Sequence, residues 1–550
     1  MAGSLLDPKA QRFSTLWQDY WGSRWHRPVL WEPQRLACFI DAATGRNVTN
    51  PSTGEPLVTD FPTGRRPFLG ALTLGRKTSP SPHSGVIEYN DDGHLLTIAP
   101  TRSGKGAAQI VPNLLAYAGS CLVLDIKGEN FAITGKHRAA LFEGAKVFRF
   151  APFEQTTDRY NPLDFIRVDK GGLPNSYTFD DARLIAEMLI PAKAKEEFWD
   201  TEARNLLTTL LLYVGTRYAP PDPRRNMREV TRLLFRTPDP EKESAASGPL
   251  FDKTLTDISE EAALTGNIVL EALVTGFREH EPKVRSNVLS TCRSEMMIWL
   301  SERLQTATEC SDFQFSELKA SMCRPAADNP APTTLYVIIP PEYLREYRTI
   351  LRMMVGLAAV ELTREGEWTG KQAEGWRTNP PCPVLFLLDE FPSLGYMTPI
   401  VNGLAYLAGY GVQIWTFAQS LGQLKGLYAE NWDSFIANAG AACYFGVTDP
   451  DAAELISKQL GETDEYEHWY ETNSESTAYS DSSTSSSASS YGRFGAGDTS
   501  SSSDSTTYGS TQTTGSQEHV RFKRETVARP SDIRALASDL QIIFLRSYSL

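Results

Sequence analysis

The sequence has few of the features that mark secreted, metal-binding or membrane-spanning proteins. Its seven cysteines are scattered without a C-x-x-C pair, and its seven histidines are equally dispersed. This pattern excludes a disulfide framework and argues against a zinc site. No signal peptide is expected from the first residues of this sequence, and no strongly apolar run in it reaches the roughly 18 residues of a membrane-spanning helix. The chain is therefore expected to be cytoplasmic and to need a partner to reach a membrane.

Basic charge is also scarce, because the formal net charge is −13. A protein that coats nucleic acid without specificity is broadly basic, so this function is excluded. A ring with a locally basic pore is still consistent with the net charge. The hydrophobic content of 41% and the charged content of 22% are ordinary for a soluble globular protein. With 550 residues, the chain is long enough for one large core and a second domain.

Residues 95–106, LLTIAPTRSGKG, combine an apolar run with a loop of small residues. The run predicts a strand, and the loop resembles a P-loop, whose backbone N–H groups bind a β-phosphate while its lysine neutralises the β/γ oxygens. We therefore predict that Lys105 binds the phosphates of ATP. The predicted nucleotide-binding loop comprises Pro100, Thr101, Arg102, Ser103, Gly104, Lys105, Gly106 and Ala107.

A second segment, VLFLLDE at 384–390, ends an uncharged β-prone run with two adjacent carboxylates. Such a run fits a buried strand of a parallel sheet, which delivers its last side chains to the edge where ligands bind. Asp389 is predicted to hold Mg²⁺ through water, and Glu390 to orient and deprotonate the attacking water. The two segments correspond to Walker A and Walker B motifs and together predict an ATPase.

Two positions depart from the common form G-x-x-x-x-G-K-[ST]. Ala99 replaces the first glycine, and Gly106 replaces the hydroxyl residue that usually binds Mg²⁺. Ser103, Thr101 or an additional water can supply the missing ligand, or hydrolysis can be weak. A glycine-rich turn that binds nothing is the alternative interpretation, and the downstream acidic pair argues against it.

The pattern of predicted elements divides the chain into six segments. Residues 1–85, rich in Trp, Pro, Arg and Gly, are predicted to form an irregular N-terminal arm without transmembrane helices. Strand–helix alternation on both sides of a helical stretch predicts an α/β P-loop domain with a mostly parallel sheet and an inserted all-α domain. The other segments are 86–164 and 331–472 (the two parts of the P-loop domain), 165–330 (all-α domain), 473–517 (a Ser/Thr/Gly-rich insertion of low order) and 518–550 (a C-terminal strand region).

Two helices have predicted limits. The helix after the P-loop is expected to end at Pro112, and a later helix to span 347–363.

Polar residues follow two other predicted strands. Gln419 ends the strand VQIWTFAQS and is either a sensor of the γ-phosphate or a structural glutamine. Asp125, Lys127 and Glu129 follow the strand after the P-loop. They form either a surface turn or a group near Mg²⁺ or the substrate path.

The helical stretch contains a cluster of arginines. Five of them fall within residues 224–236, a segment whose single acid is Glu229. They are either a solvated helix face or a surface that contacts nucleic-acid phosphates or an acidic partner. The five are Arg224, Arg225, Arg228, Arg232 and Arg236.

Six segments, in this order along the chain, resemble the type IV secretion coupling proteins that drive conjugative DNA transfer. They are TIAPTRSGKG (97–106), VPNLLAYAGSCLVLDIKGEN (111–130), EFWDTEARNLL (197–207), LFLLDEFPSLGYM (385–397), GVQIWTFAQSLGQLKGLY (411–428) and ISKQLGE (456–462). A glycine after the P-loop lysine also occurs in that family. The resemblance implies a RecA-like ATPase domain with an all-α insertion, assembled into a homo-oligomer for which a hexameric ring is the expected form.

The resemblance also implies partners. These are single-stranded DNA with a relaxase, or effector proteins, together with membrane-embedded components of a secretion channel. Family members usually begin with two membrane-spanning helices, which this sequence does not show, so a peripheral position at the inner membrane is expected. RecA-like rings commonly place an arginine of one subunit against the neighbour's γ-phosphate. Arg348 and Arg352 are candidates, with ordinary surface ion pairs as the alternative.

Two functions are consistent with these features. The first is an oligomeric motor that hydrolyses ATP to move DNA or to recruit substrate. The second is an adaptor that binds nucleotide with little turnover and docks substrate proteins through its helical domain. Gly106 favours the adaptor, whereas the Asp389–Glu390 pair favours the motor.

Overall fold

The computed structural model describes residues 29–32, 72–77, 86–89, 91, 93–140, 144–191, 197–236, 250–322, 332–364, 383–472, 516–536 and 540–546. The chain forms two compact units. One unit comprises Met1–Leu455 with Pro530–Leu550, and the other comprises Ile456–Arg529.

Thirteen strands are present in the described residues. They are β1 (Val29–Glu32), β2 (Leu72–Lys77), β3 (Val86–Tyr89), β4 (His94–Ile98), β5 (Cys121–Leu124), β6 (Lys146–Phe150), β7 (Thr333–Val337), β8 (Val384–Leu388), β9 (Val412–Ala418), β10 (Ala439–Phe445), β11 (Glu462–Thr472), β12 (Ser516–Thr526) and β13 (Gln541–Leu545). Eleven of them form one sheet in the order β3-β2-β1-β13-β10-β4-β9-β8-β5-β7-β6.

Fifteen α-helices accompany the strands in the part of the chain that the structure describes. They are α1 (Val111–Ala116), α2 (Glu129–Ala140), α3 (Thr178–Leu189), α4 (Glu197–Arg217), α5 (Met227–Phe235), α6 (Leu250–Thr265), α7 (Ile268–Glu279), α8 (Pro282–Met296), α9 (Glu302–Ala307), α10 (Pro341–Thr363), α11 (Thr398–Gly403), α12 (Leu421–Tyr428), α13 (Asp433–Ala437), α14 (Pro450–Leu460) and α15 (Pro530–Arg534).

The seven strands from β6 to β10 in the sheet order run parallel to their neighbours. Their central members carry short uncharged runs, such as CLVL in β5 and VLFLL in β8, and every residue of these two runs is buried. Continuous apolar runs are typical of strands that are covered on both faces. The predicted α/β fold with a mostly parallel sheet is therefore confirmed.

The other edge of the sheet is antiparallel. β13 pairs with β10 on one side and with β1 on the other, and β2 and β3 follow outward. β1 and β2 lie within 1–85, so the prediction of an irregular arm is wrong for these two segments. Both are too short to show a clear alternation, and β1 pairs with a strand that lies far away in the sequence.

The segment between α2 and α10 is dominated by helices. The seven helices from α3 to α9 lie there, and several bury one apolar face, as α5 does with Met227, Val230, Leu233 and Leu234. This pattern agrees with the helical periodicity of the sequence.

Two predicted helix limits are wrong. The helix after the P-loop passes through Pro112, because residues Gly106–Ile110 form a π-helical turn in which Val111 N–H donates to Gly106 O. Pro112 then lies in the first turn of α1, where a missing N–H costs little. The later helix begins at Pro341 rather than at residue 347, since proline is also favourable in a first helical turn.

The second unit contains a two-stranded antiparallel ribbon. β11 pairs with β12 along their full length, from Glu462 opposite Thr526 to Thr472 opposite Ser516. The predicted low-order insertion 473–517 lies outside the described residues except for Ser516 and Gln517, which begin β12. No helix in the described ranges is long and apolar enough to cross a bilayer.

Candidate nucleotide-binding site

The order of the sheet brings the predicted site segments together. β9 lies between β4 and β8, and the three strands are parallel. Their carboxyl ends therefore meet at one edge, which is where ligands bind in such sheets. The P-loop follows β4, the Asp389–Glu390 pair follows β8, and Gln419 follows β9.

The loop after β4 has the backbone of a phosphate cradle. Gly104 has φ +89°, a left-handed conformation that favours glycine. Ser103 Oγ donates to Pro100 O at 2.6 Å, and Ala108 N–H donates to Gly104 O at 2.8 Å, which closes the loop onto the following helical turn. The first N–H groups of a helix lack intrahelical acceptors and are available to an anion. The geometry therefore fits a bound phosphate.

Lys105 contacts both carboxylates that follow β8. Its Nζ donates to Glu390 Oε1 at 2.7 Å and lies 2.9 Å from Asp389 Oδ1, and its side chain is only 13% exposed. Burial alone lowers the pKa of Lys105, but the two acidic partners outweigh burial and raise this pKa above its usual value. Lys105 is thus a fixed cation at the predicted phosphate position.

Glu390 connects Lys105 with Gln419. Its Oε2 accepts a hydrogen bond of 2.7 Å from Gln419 Nε2. The Glu390 backbone is left-handed, with φ 54° and ψ 42°. Such a conformation in a non-glycine residue costs roughly 1–3 kcal/mol and is concentrated at functional sites. The three predicted residues therefore form one hydrogen-bonded chain, with the carboxylate in the middle.

Asp389 has the character of a metal ligand. Burial raises its pKa, and the ammonium of Lys105 opposes this rise. Its Oδ1 is buried and, apart from the ion pair with Lys105, has no hydrogen bond to the residues described. The described ranges contain no cluster of three or more His, Cys, Asp and Glu side chains that could enclose a metal by themselves. One carboxylate fits Mg²⁺, which is commonly held by one or two carboxylates together with phosphate oxygens.

Gly106 leaves room where a hydroxyl side chain is common. A Cβ built on Gly106 would meet no heavy atom within 4 Å, so the missing side chain is not required by packing. Ser103 Oγ is already bonded to Pro100 O, and Thr101 is exposed. The remaining ligands of a metal at Asp389 would therefore be phosphate oxygens and water.

Asp125 lies at the same edge of the sheet and is 2% exposed. Its Oδ2 accepts from Phe131 N–H at 2.8 Å, so the carboxylate caps the start of α2. Burial is the main cause that raises the pKa of Asp125 to about 6. Hydrogen bonds from the backbone of Phe131 and Asn130 oppose this rise, whereas the negative charge of Asp389 adds to it. Lys127 and Glu129, by contrast, are exposed.

One part of this region was not anticipated from the sequence. Gln109, in the π-helical turn, is fully buried and accepts at 2.8 Å from Thr97 Oγ1, which itself accepts from Trp415 Nε1 at 3.0 Å. Gln109 Nε2 in turn donates to Leu74 O at 3.3 Å. The buried network ties the P-loop helix to β2, β4 and β9. A glutamine in an apolar stretch was the only signal of it in the sequence.

The two arginine candidates of α10 lie in different environments. Arg348 is exposed, whereas Arg352 is 6% exposed and donates from Nε and Nη2 to Met188 O at 2.9 and 2.7 Å. A side chain held inside the protein in this way cannot extend to a neighbouring subunit. The prediction that Arg352 acts on a neighbour's nucleotide therefore needs correction. Of the two arginines, only Arg348 remains a candidate for this role.

The arginine-rich stretch is not a single surface. Arg225 and Arg236 are buried, with Arg225 paired to Asp164 at 3.1 Å and Arg236 donating to Thr254 at 2.9 Å. The other three arginines, Arg224, Arg228 and Arg232, are exposed. Arg228 and Arg232 are neighbours on one face of α5, and Arg224 precedes that helix. A phosphate-binding surface can include only these three.

The fold and the site define a RecA-like P-loop protein, with a lysine loop and an acidic pair at the carboxyl edge of a parallel sheet. A family model described as "Type IV secretory system Conjugative DNA transfer" matches residues 70–494. The chain therefore belongs to this family of coupling proteins involved in conjugative DNA transfer.

Curated relatives agree with this assignment. The chain is 27% identical over 413 residues to "Protein VirD4" of Agrobacterium fabrum, covering 74% of this chain and 54% of that protein. It is 26% identical over 400 residues to "Conjugal transfer protein TraG" of Escherichia coli, covering 68% and 56%. The chain thus spans about half the length of the curated relatives it matches.

Solved structures of a coupling protein share the fold. The unbound monoclinic form of the conjugative coupling protein TrwBdeltaN70 has a TM-score of 0.54 and 16% identity, covering 84% of each chain. TrwB in complex with ADP and Mg²⁺ has a TM-score of 0.51 and 15% identity, covering 83% of each chain. At this level of identity, the comparison shows the architecture.

Proposed function

We propose that this chain is the nucleotide-driven part of a coupling protein, an ATPase that works as a homo-oligomer. The main support is the contact of Lys105 with both Asp389 and Glu390 at the edge of the sheet, with Gln419 bonded to the same glutamate. A solved relative, TrwB, has been obtained with an ATP analogue. ATP and Mg²⁺ are the ligands that this arrangement fits.

Each residue has a chemical task in this proposal. Lys105 and the backbone N–H groups of residues 101–107 bind the β/γ-phosphates, and Asp389 would hold Mg²⁺, which neutralises phosphate charge when it is bound. Glu390 accepts the proton of the attacking water. Binding requires Lys105 to exchange a carboxylate partner for phosphate, which frees Glu390 for this role. Gln419 reports the state of the γ-phosphate through its bond to Glu390.

Arg348 is proposed to act on the neighbouring subunit's nucleotide. It is exposed on α10, and a cation beside the γ-phosphate stabilises the charge of the transition state. This role makes the site complete only in an oligomer, for which a hexameric ring is the proposed form.

The proposed substrates are single-stranded DNA with its relaxase, or effector proteins, delivered to membrane-embedded secretion components at the inner membrane. Family membership supports this class of partner. The helical segment 165–330 is proposed to contact the cargo, because the nucleotide-site residues lie outside it.

A nucleotide-binding adaptor is the second candidate. Gly106 favours it, because no hydroxyl at this position completes a metal site and packing does not require glycine there. In this case nucleotide would stabilise a docking form and turnover would be slow.

The deciding experiment measures ATP turnover with and without single-stranded DNA, together with the mass of the assembly. A motor gives turnover that DNA stimulates in an oligomer of defined mass. An adaptor binds ATP tightly but shows no stimulation at any protein concentration.

A further inference from the structure

Two arginines, one helical turn apart on α10, occupy opposite environments. Arg348 is exposed, whereas Arg352 is buried against the end of α3. Residues four apart on a helix are neighbours, so the two cations repel each other. Arg348 correspondingly lowers the pKa of Arg352, although burial is the larger cause of the decrease to about 10. Arg352 is therefore still a cation at neutral pH.

The partner of Arg352 is a helix terminus. Met188 O belongs to the last turn of α3, where carbonyls lack intrahelical donors and the helix dipole attracts cations. Two nitrogens of the guanidinium converge on this one oxygen, at 2.9 and 2.7 Å. This double contact fixes the guanidinium more firmly than a single hydrogen bond would.

The same two helices are joined at two further points. A Cβ built on Gly356 would lie 2.6 Å from Met188 Sδ, so α10 and α3 touch closely one turn beyond Arg352. At the end of α10, Arg364 forms an ion pair with Asp181 of α3, a carboxylate that also pairs with Arg167 at 2.9 Å. α10 is thus prevented from rotating about its own axis relative to α3.

α10 also packs against an element that adjoins the nucleotide site. It packs against the turn Phe391–Leu394, which directly follows Glu390. One helix therefore joins the end of α3, the exposed Arg348 and the turn beside Glu390.

We propose that Arg352 is a positioning residue, which anchors α10 to the helical segment and thereby holds Arg348 outward for the neighbouring subunit's nucleotide. This inference rests on the proposed role of Arg348. With Arg352 held on α3, charge repulsion between the two guanidinium groups favours an outward position of Arg348, towards solvent. Of the three contacts between α3 and α10, the one at Arg352 lies nearest to Arg348 in the sequence, so a displacement of α3 by cargo would reach Arg348 mainly through this contact.

The test compares Arg348→Ala, Arg352→Met, Arg352→Lys and the double variant Arg348→Ala/Arg352→Met. Arg352→Met is expected to lower kcat by roughly tenfold or more while KM changes by less than about twofold. The reason is that a misplaced Arg348 no longer stabilises the transition state, whereas substrate binding is unaffected. Arg352→Lys keeps a cation on Met188 O and is expected to recover part of the loss. The double variant should be no slower than Arg348→Ala alone.

A second readout does not depend on turnover. With a non-hydrolysable ATP analogue, the protein concentration at half-assembly should rise by the same factor in Arg348→Ala and Arg352→Met. Arg293→Met is the matched control, since Arg293 Nε donates to Leu234 O at the end of α5, at 3.0 Å, within the helical segment. This control should leave both readouts unchanged.

The outcomes separate the two ideas. If Arg348→Ala is inactive while Arg352→Met and Arg352→Lys hydrolyse ATP normally, the positioning role is wrong and the proposed function stands. Multiplicative losses in the double variant would also overturn the positioning role. Normal turnover in Arg348→Ala would overturn the trans arginine, and with it this inference.

Discussion

At the scale of single residues, the nucleotide site depends on Lys105, which makes two acidic contacts within 2.9 Å. Replacing this lysine with alanine is expected to weaken ATP binding by roughly 10- to 100-fold, because a charge-assisted hydrogen bond contributes about 1.5–3 kcal/mol. Calorimetry with ATP and Mg²⁺ measures the effect. Lys136→Ala is the control, since Lys136 is an exposed lysine on α2, outside the predicted nucleotide-binding loop. Equal affinity in Lys105→Ala and wild type would contradict the P-loop assignment.

Glu390 is expected to separate binding from turnover. Glu390→Gln keeps the shape of the side chain but cannot accept a proton, so kcat should fall by roughly 100-fold or more while ATP affinity is retained. Single-turnover hydrolysis and nucleotide binding are measured side by side. Glu129→Gln is the control, because Glu129 is an exposed carboxylate near the same edge. Normal hydrolysis in Glu390→Gln, together with a loss in Glu129→Gln, would move the base to Glu129.

The raised pKa of Asp125 predicts that the stability of the folded protein depends on pH. Its pKa is raised from 3.8 to about 6, so the folded protein binds a proton more tightly than the unfolded chain does. The folded state therefore loses stability as pH rises from about 4 to 6. In the Asp125→Asn variant, the amide oxygen would still accept a hydrogen bond from the Phe131 N–H. Because an amide does not titrate, the loss of stability between pH 4 and 6 would be absent.

The expected gain of Asp125→Asn over wild type grows across this window to at most roughly 3 kcal/mol, because each pKa unit corresponds to about 1.4 kcal/mol. Urea unfolding at pH 4, 5, 6 and 7 checks this result. The exposed Glu260→Gln should show no such trend. A constant difference between Asp125→Asn and wild type at all four pH values would contradict the prediction.

At the scale of elements, the sequence predicted the strands and loops that form the site, because β4, β8 and β9 are largely apolar runs followed by polar residues. Two kinds of feature were not predictable. The place of β1 depends on a partner that is distant in the sequence, and the π-helical turn before Pro112 depends on hydrogen bonding within the folded core. The burial of Arg352 likewise depends on α3, which no local pattern in α10 reveals.

The exposed arginines at α5 give a prediction at the same scale. Arg224, Arg228 and Arg232 are exposed, and Arg232 is paired with Glu229 at 2.7 Å. If this surface binds single-stranded DNA, replacing all three with glutamine should weaken binding and reduce the salt slope by about 2, since each phosphate contact contributes roughly 0.7. Basal ATP turnover should not change. Fluorescence anisotropy at several salt concentrations gives the slope.

A charge-matched control separates this surface from net charge. Replacing Lys253, Arg278 and Lys283 with glutamine removes the same charge from α6–α8. This control should leave the slope unchanged. Equal salt slopes in both triple variants and wild type would mean that the arginines at α5 do not bind DNA. They would then contact protein cargo or keep this helix soluble.

At the scale of the whole molecule, turnover should depend steeply on protein concentration, because a trans arginine is supplied only by a neighbour. Specific activity measured across dilution should fall as the assembly dissociates, in parallel with mass photometry. Inactive Arg348→Ala mixed with inactive Lys105→Ala should recover part of the activity, since a neighbour can supply Arg348 to an intact Lys105 site. Constant specific activity in a dilute monomer would contradict the shared site.

The position of β13 has a consequence for synthesis on the ribosome. Ile543 pairs with Val29 on one side and with Cys443 on the other, so β13 separates β1 from the parallel strands. β1 cannot take its place in the sheet until residues 541–545 have left the exit tunnel. At about 5–20 residues per second, this wait lasts roughly half a minute to two minutes. During that time β1 exposes one unsatisfied strand edge, and β10 exposes a second one once residues 439–445 have been synthesised. A chaperone that shields these edges would raise the yield of folded protein.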